Sequence, residues 1–134
     1  MRKIKDNIPL LRPTAVLTIE VGDRKFYAHF EDNPAAKALF ERLKIDLLTV
    51  RMCDRDSREK IGELSFALPQ DDRRITPLPG DLVLYENGRI ALCYDQNTEN
   101  GTRLARIGNT AKEALLDVLG SGDVALQLYL EWSE

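Results

Sequence analysis

Nucleophilic and metal chemistry need histidines, cysteines or paired acids at set spacings, and this chain has few of them. His29 is its only histidine, and Cys53 and Cys93 are its only cysteines. A cysteine nucleophile needs a base within hydrogen-bond reach, and nothing in the spacing brings Cys53 or Cys93 to His29. The two cysteines match no zinc or redox pattern, so buried, reduced thiols are expected, with no metal and no cofactor. His29, next to Tyr27 on a half-exposed strand face, reads as structural. Asp54-Arg55-Asp56 has the opening of a calcium loop, but the loop's glycine and distal glutamate are missing. With Arg58 and Glu59 it reads as a solvated, self-neutralising turn. The glycines are scattered and form no Gly-rich loop that could cradle phosphate. Asp81, after Pro79-Gly80, reads as a side chain that fixes a turn.

The bulk numbers set the class. A chain of 134 residues is expected to form one domain with a substantial core. Its 43% hydrophobic and 31% charged residues are those of a soluble globular protein. Nineteen basic and 22 acidic residues, well mixed, leave a net charge of −3, which favours neither nucleic acid nor an anionic membrane as partner. The basic start, Met1–Lys5, leads into Asp6, Asn7 and Pro9 and not into a signal-peptide core. No run reaches the length of a membrane span. A cytoplasmic location is expected, and a homo-oligomer is left open.

The positioning elements follow from periodicity. Residues 1–13 read as an irregular lead-in and 14–134 as a single domain. Thr14–Val21 and Arg24–Phe30 read as strands joined by Gly22-Asp23. Counting from that turn sets Ile19 against Phe26, Leu17 against Ala28 and Ala15 against Phe30, an apolar face for the core. Asn33-Pro34 reads as an N-cap and first helical residue, with Ala36, Leu39, Phe40 and Leu43 as the buried stripe. Leu47–Cys53 reads as a strand, Arg55–Lys60 as a charged connection, Ile61–Leu68 as a segment holding a short strand, and Gln70–Arg74 as a polar turn. Asn87-Gly88 predicts a tight hairpin pairing Tyr85 with Ile90 and Val83 with Leu92. Asn97–Gly101 reads as a loop, followed by a strand over Arg103–Ile107. Thr110 and Glu113 suggest a capping box for a helix with Leu115, Leu116 and Leu119 on its stripe, stopped by Gly120 and Gly122. Asp123–Trp132 alternates as a last strand, with Trp132 in core or rim packing. Seven or eight strands, mostly joined by hairpins, fit a closed antiparallel β-barrel with two short capping α-helices.

The order of these pieces resembles the small cyclophilin-like domain proteins of bacteria and archaea. The matching pieces are the opening hairpin, Asp32-Asn33-Pro34-Ala35-Ala36, Glu59-Lys60-Ile61-Gly62, Pro79-Gly80-Asp81, the aromatic Tyr94, and Leu104-Ala105-Arg106-Ile107-Gly108. The bare Asn-Gly turn departs from that pattern. The resemblance implies an eight-stranded antiparallel barrel with two helical caps, and no settled activity. Cyclophilins proper are prolyl isomerases whose active strand carries Phe-His-Arg, which is absent here. Val50-Arg51-Met52-Cys53 stands on the strand after the first helix, and Arg51 is the residue that would take the similar place. A glutamate stands at the place of Glu59 in the resembled group, where it would edge the barrel pocket. Arg51 and Glu59, with Tyr85 or Tyr94 nearby, are therefore the candidate ligand-pocket residues. An ion pair holding the connection down is the competing role for Glu59.

Three functions follow as expectations: a noncatalytic module binding a small molecule or a peptide, a divergent peptidyl-prolyl isomerase, and a self-associating or partner-binding protein.

Overall fold

The computed structural model describes residues 14–96 and 98–133. The lead-in expected over 1–13 lies outside the described residues. Nine strands and two α-helices follow in the order β1 (Thr14–Val21), β2 (Arg24–Phe30), α1 (Pro34–Leu43), β3 (Leu48–Arg55), β4 (Glu59–Glu63), β5 (Arg73–Ile75), β6 (Asp81–Tyr85), β7 (Arg89–Cys93), β8 (Glu99–Arg106), α2 (Lys112–Leu119) and β9 (Val124–Ser133). The protein is mainly β, as the patterning implies.

The opening hairpin forms in the counted register, with Leu17 opposite Ala28 and Ile19 opposite Phe26. Gly22 supplies the positive φ, +60°, that its turn requires. Ala15, expected against Phe30, instead pairs with Trp132 of β9, while Phe30 pairs with Ala105 of β8. The two strands diverge at their far ends because each has a second neighbour to satisfy.

The strand order is β2-β1-β9-β3-β4-β7-β6-β8-β5, and a further pairing joins β2 to β8. That return contact is short: His29 opposite Arg106 and Phe30 opposite Ala105. Glu31 N–H extends it to the Leu104 carbonyl at 2.9 Å. Asn33 then does two jobs with one amide. Its Oδ1 accepts from Ala36 N–H at 2.8 Å and caps α1, while its Nδ2 donates to the Arg103 carbonyl at 2.8 Å. Pro34 at the first helical position follows the expected pattern.

Inward residues of the strands, among them Leu17, Ile19, Leu84, Ile90, Leu126 and Leu128, make the main core with Leu39 of α1 and Leu115 of α2. A second, smaller cluster lies on the outer wall: Ile61, Val83, Tyr85, Ala91 and Cys93, with Ile75 against it.

Four expectations are corrected. The second hairpin pairs Leu82 with Leu92, Val83 with Ala91, Leu84 with Ile90 and Tyr85 with Arg89, one residue away from the two-residue count. The connection is a three-residue turn, Glu86–Gly88, with Gly88 at φ +72°; an αL glycine closing a three-residue loop absorbs the extra position. Arg73–Ile75, read as polar turn, is β5 because it lies along β8, which itself begins at Glu99 inside the expected loop. The charged connection after β3 shrinks to three residues between Arg55 and its partner Glu59. Asp56 and Ser57 both take φ of +54° there, so the hairpin closes more tightly than composition suggested. Finally, α2 has Ala111 at its N-cap and no side-chain cap. Thr110 sits one residue earlier, and its methyl occupies the space beside Gly80, where a Cβ would come within 2.7 Å of it.

Asn33→Ala removes the helix cap and leaves the Arg103 carbonyl without its partner. Urea unfolding is expected to show a loss of about 2 kcal/mol. Asn33→Asp, which keeps the acceptor and loses the donor, is expected to fall between the two.

Candidate functional site

The outer wall of β3, β4, β7 and β6 is a grid of side chains, because residues two apart share a face. One row is apolar: Cys53 lies opposite Ile61, Ile61 opposite Ala91, and Ala91 opposite Val83. On one side of it stand Arg55, Glu59 and Cys93. On the other stand Glu63, Arg89 and Tyr85, with Arg51 two residues before Cys53 on β3.

The Glu59 side is a closed polar knot. Glu59 is 1% exposed. Arg55 Nε lies 2.6 Å from its Oε2. Tyr85 reaches across the apolar row, and its hydroxyl donates to Glu59 Oε1 at 3.0 Å. The Cys93 thiol donates to the same oxygen at 3.7 Å. Arg55 and Arg58 each place an Nη2 at 3.1 Å from Glu99. The Arg55 guanidinium also sits 5.2 Å above the Tyr85 ring centre. Gly101 makes room for that ring: a Cβ there would come within 2.9 Å of Val83 and 3.1 Å of Tyr85.

Burial pushes the Glu59 carboxyl above its usual range, against the pull of Arg55 and the Tyr85 hydroxyl. Burial and the adjacent carboxylate push the Tyr85 hydroxyl and the Cys93 thiol up as well. Burial works against the Arg55 charge, but Glu59 and Glu99 outweigh it and raise its pKa. Cys93 is thus a protonated thiol holding a hydrogen bond, the opposite of an activated nucleophile.

The Arg51 side is open. A groove of about 620 Å³ runs over β3 and β4, lined by Arg51, Cys53, Ile61, Glu63, Arg89 and Asp123 among others. Gly62 lets the two strands approach, since a Cβ there would collide with the Arg51 carbonyl oxygen and press on Val50 and Met52.

Of the four candidate pocket residues, Glu59 and Tyr85 are brought into hydrogen-bond contact, and Arg51 lines the neighbouring groove. Tyr94 belongs to the inner core and donates to Asp54 Oδ1 at 2.5 Å. Beside it the fully buried Lys60 donates to the Gly122 carbonyl at 2.7 Å and lies 3.4 Å from Asp54. Sequence reasoning missed Lys60, and it missed Arg55 and Cys93 as partners of Glu59 and Glu99 as the second carboxylate on Arg55. The signal for Arg55 was available: a three-residue turn after it places it opposite Glu59.

Other expectations fare unevenly. Asp81 does fix its turn, accepting from Leu78 N–H at 3.1 Å, and it also holds Arg103 and Arg106 at 2.9 and 3.1 Å. Cys93 is buried, but Cys53 is exposed on the groove, because it stands on the outward face of β3. Trp132 is a rim residue, its ring 5.9 Å from Phe40. Asp56 pairs with Arg58 at 3.5 Å as a solvated turn should, whereas Asp54 is drawn to Tyr94 and Lys60. Among the described residues no group of three or more His, Cys, Asp or Glu could hold a metal ion. No helix among them is long and apolar enough to cross a membrane.

These features define a small, mainly β protein whose curled sheet carries a sealed ionic knot and an open groove side by side on its outer wall. The chain belongs to the Cyclophilin-like family, whose model matches residues 19–129. No curated protein and no solved structure matches it.

Two outcomes are expected. Because the Glu59 pKa is raised in the fold above 4.5, its share of stability is present at low pH and is lost as pH rises through the raised value. The stability of the wild type relative to Glu59→Gln should therefore fall in urea unfolding as pH rises above the ordinary carboxylate range. A difference that grows with pH would mean that Arg55 and Tyr85 override burial. Iodoacetamide should label Cys53 alone in the folded chain and reach Cys93 only after denaturation, read by peptide mass. Labelling of Cys93 at the same rate would show that the knot opens.

Proposed function

We propose that the chain is a noncatalytic binding module that takes a small molecule or a peptide in the groove over β3 and β4. One observation carries the reading: the groove is concave and unfilled, with a volume of about 620 Å³ and with Arg51 beside the apolar Ile61. Ligand sites of this size pair an apolar lining with a few polar groups that set orientation. The nearby groups with catalytic potential speak for binding over chemistry, because Glu59, Tyr85 and Cys93 are turned on one another. Glu59 and Tyr85 then support the site from its flank. The return pairing of β2 with β8 supports reading the curled sheet as a closed barrel. The free thiols fit a reducing, cytoplasmic setting.

A divergent prolyl isomerase is the second reading, favoured by one observation: Arg51 lines a partly apolar groove. A cation beside a bound prolyl amide can favour its twisted state, and the barrier of about 18–20 kcal/mol leaves room for a visible effect.

A thermal-shift screen with metabolites and proline-containing peptides tests both. A ligand at about 100 times its Kd should add about 2.7 kcal/mol to the stability of the native state. Cys53→Trp, which fills the groove, should abolish the shift. A shift that survives the filled groove, or no shift from any compound, overturns the binding reading. A peptide that binds but does not exchange faster between cis and trans removes the isomerase reading.

A further inference from the structure

The groove contains two arginines that the fold leaves without partners. Arg51 and Arg89 both line it. Among the described residues neither has an ion-pair or hydrogen-bond partner, whereas Arg55, Arg58, Arg103 and Arg106 are each held by a carboxylate. The Arg89 Nε is buried and has no acceptor. Its neighbours across the sheet are Glu63 and Tyr85. The Tyr85 hydroxyl is committed to Glu59, and Glu63 forms no ion pair with it.

An unmatched buried N–H is costly to the fold and gains from an acceptor. A guanidinium presents Nε and Nη as a planar fork that fits the two oxygens of a carboxylate. Glu63 stands next to Arg89 in the row the two arginines share, and Ile61 and Cys53 form the row alongside, so a ligand on Arg89 meets an apolar strip beside the fork. Glu63 and Asp123 also line the groove. Two acids against two arginines bring its formal charge to zero, so one arginine fork can match a single negative charge while the second charge of a phosphate dianion goes uncompensated.

We propose, resting on the binding reading above, that the groove takes a carboxylic acid with an apolar body. Its carboxylate pairs with Arg89, its body lies over Ile61 and Cys53, and Arg51 flanks the open side.

The test is a matched pair of probes, phenylbutyrate and phenylbutyramide, titrated into the isotope-labelled full chain and followed by the backbone amide signals of β3, β4 and Arg89. The acid should bind about tenfold more tightly than the amide, the worth of a charge-assisted hydrogen bond. Arg89→Gln should reduce the acid to the affinity of the amide. Arg89→Lys, which keeps the charge and loses the fork, should keep only part of the preference. Equal binding of acid and amide by the wild type overturns the carboxylate assignment and leaves the groove reading standing, and this comparison needs no variant to fold. No shift of groove signals with either probe overturns both. Tighter binding of phenyl phosphate than of phenylbutyrate overturns the choice of a monoanion.

Discussion

The sheet curls through eight strands until β2 meets β8, and that contact spans only two residue pairs. An open edge of backbone donors and acceptors invites pairing with other chains, so the remainder of the β8 edge has to be finished by other means. Glu31 and the Asn33 amide supply the next two hydrogen bonds, to the carbonyls of Leu104 and Arg103. β5 then takes Glu99 to Gly101. From the opposite side, Asp81 on β6 grips Arg103 and Arg106. The Asn33 amide also begins α1, so the helix and the seam stand or fall together.

The outer wall obeys a second constraint, the cost of burying charge. Removing an ion from water costs several kcal/mol even after relaxation, and the loss is recovered only with good geometry and further hydrogen bonds. Glu59 recovers part of this cost: a hydroxyl at 3.0 Å and a thiol at 3.7 Å donate to its Oε1 and a guanidinium lies 2.6 Å from its Oε2, while burial still raises its pKa. Those donors are spent on the fold. Their engagement with one another makes the constellation poor in chemistry, since the phenol and the thiol are both protonated donors to the one acid. It fastens the β3–β4 turn to β7 and, through Glu99, to β8.

Much of this was legible in the sequence, and the failures share a physical cause. Strands with one core face, such as β1 and β9, alternate cleanly, and the register of β1 with β2 could be counted from the turn between them. Asn33-Pro34 marks its helix because capping and the fixed proline φ are local effects. What could not be read locally was set by distant partners. β5 is three residues long, and only β8 makes it a strand. The hairpin at Glu86–Gly88 carries the right turn residues but one more position than a two-residue loop, and that single position shifts every cross-strand partner. Glu59 was singled out, yet its role was fixed by Arg55, Glu99 and Cys93, which lie on three different strands. Lys60 resembles any surface lysine until β9 and α2 close over its end of the sheet.

The knot and the groove share β4: Glu59 is bound in the knot, and Ile61 and Glu63, two and four residues on, line the groove. Fixing the first of these fixes the others, because a strand of five residues paired on both edges has no freedom to slide. Gly62 tightens this further by allowing β3 to lie against β4 without an intervening Cβ. Side-chain ordering on binding costs about 0.5–1.5 kcal/mol for each group immobilised; a wall held this way has its backbone set during folding and leaves Arg51 and Arg89 to be ordered. On the proposed binding reading, the ionic knot bears on the groove without touching a ligand, since its tightness determines how little the β3–β4 backbone must change.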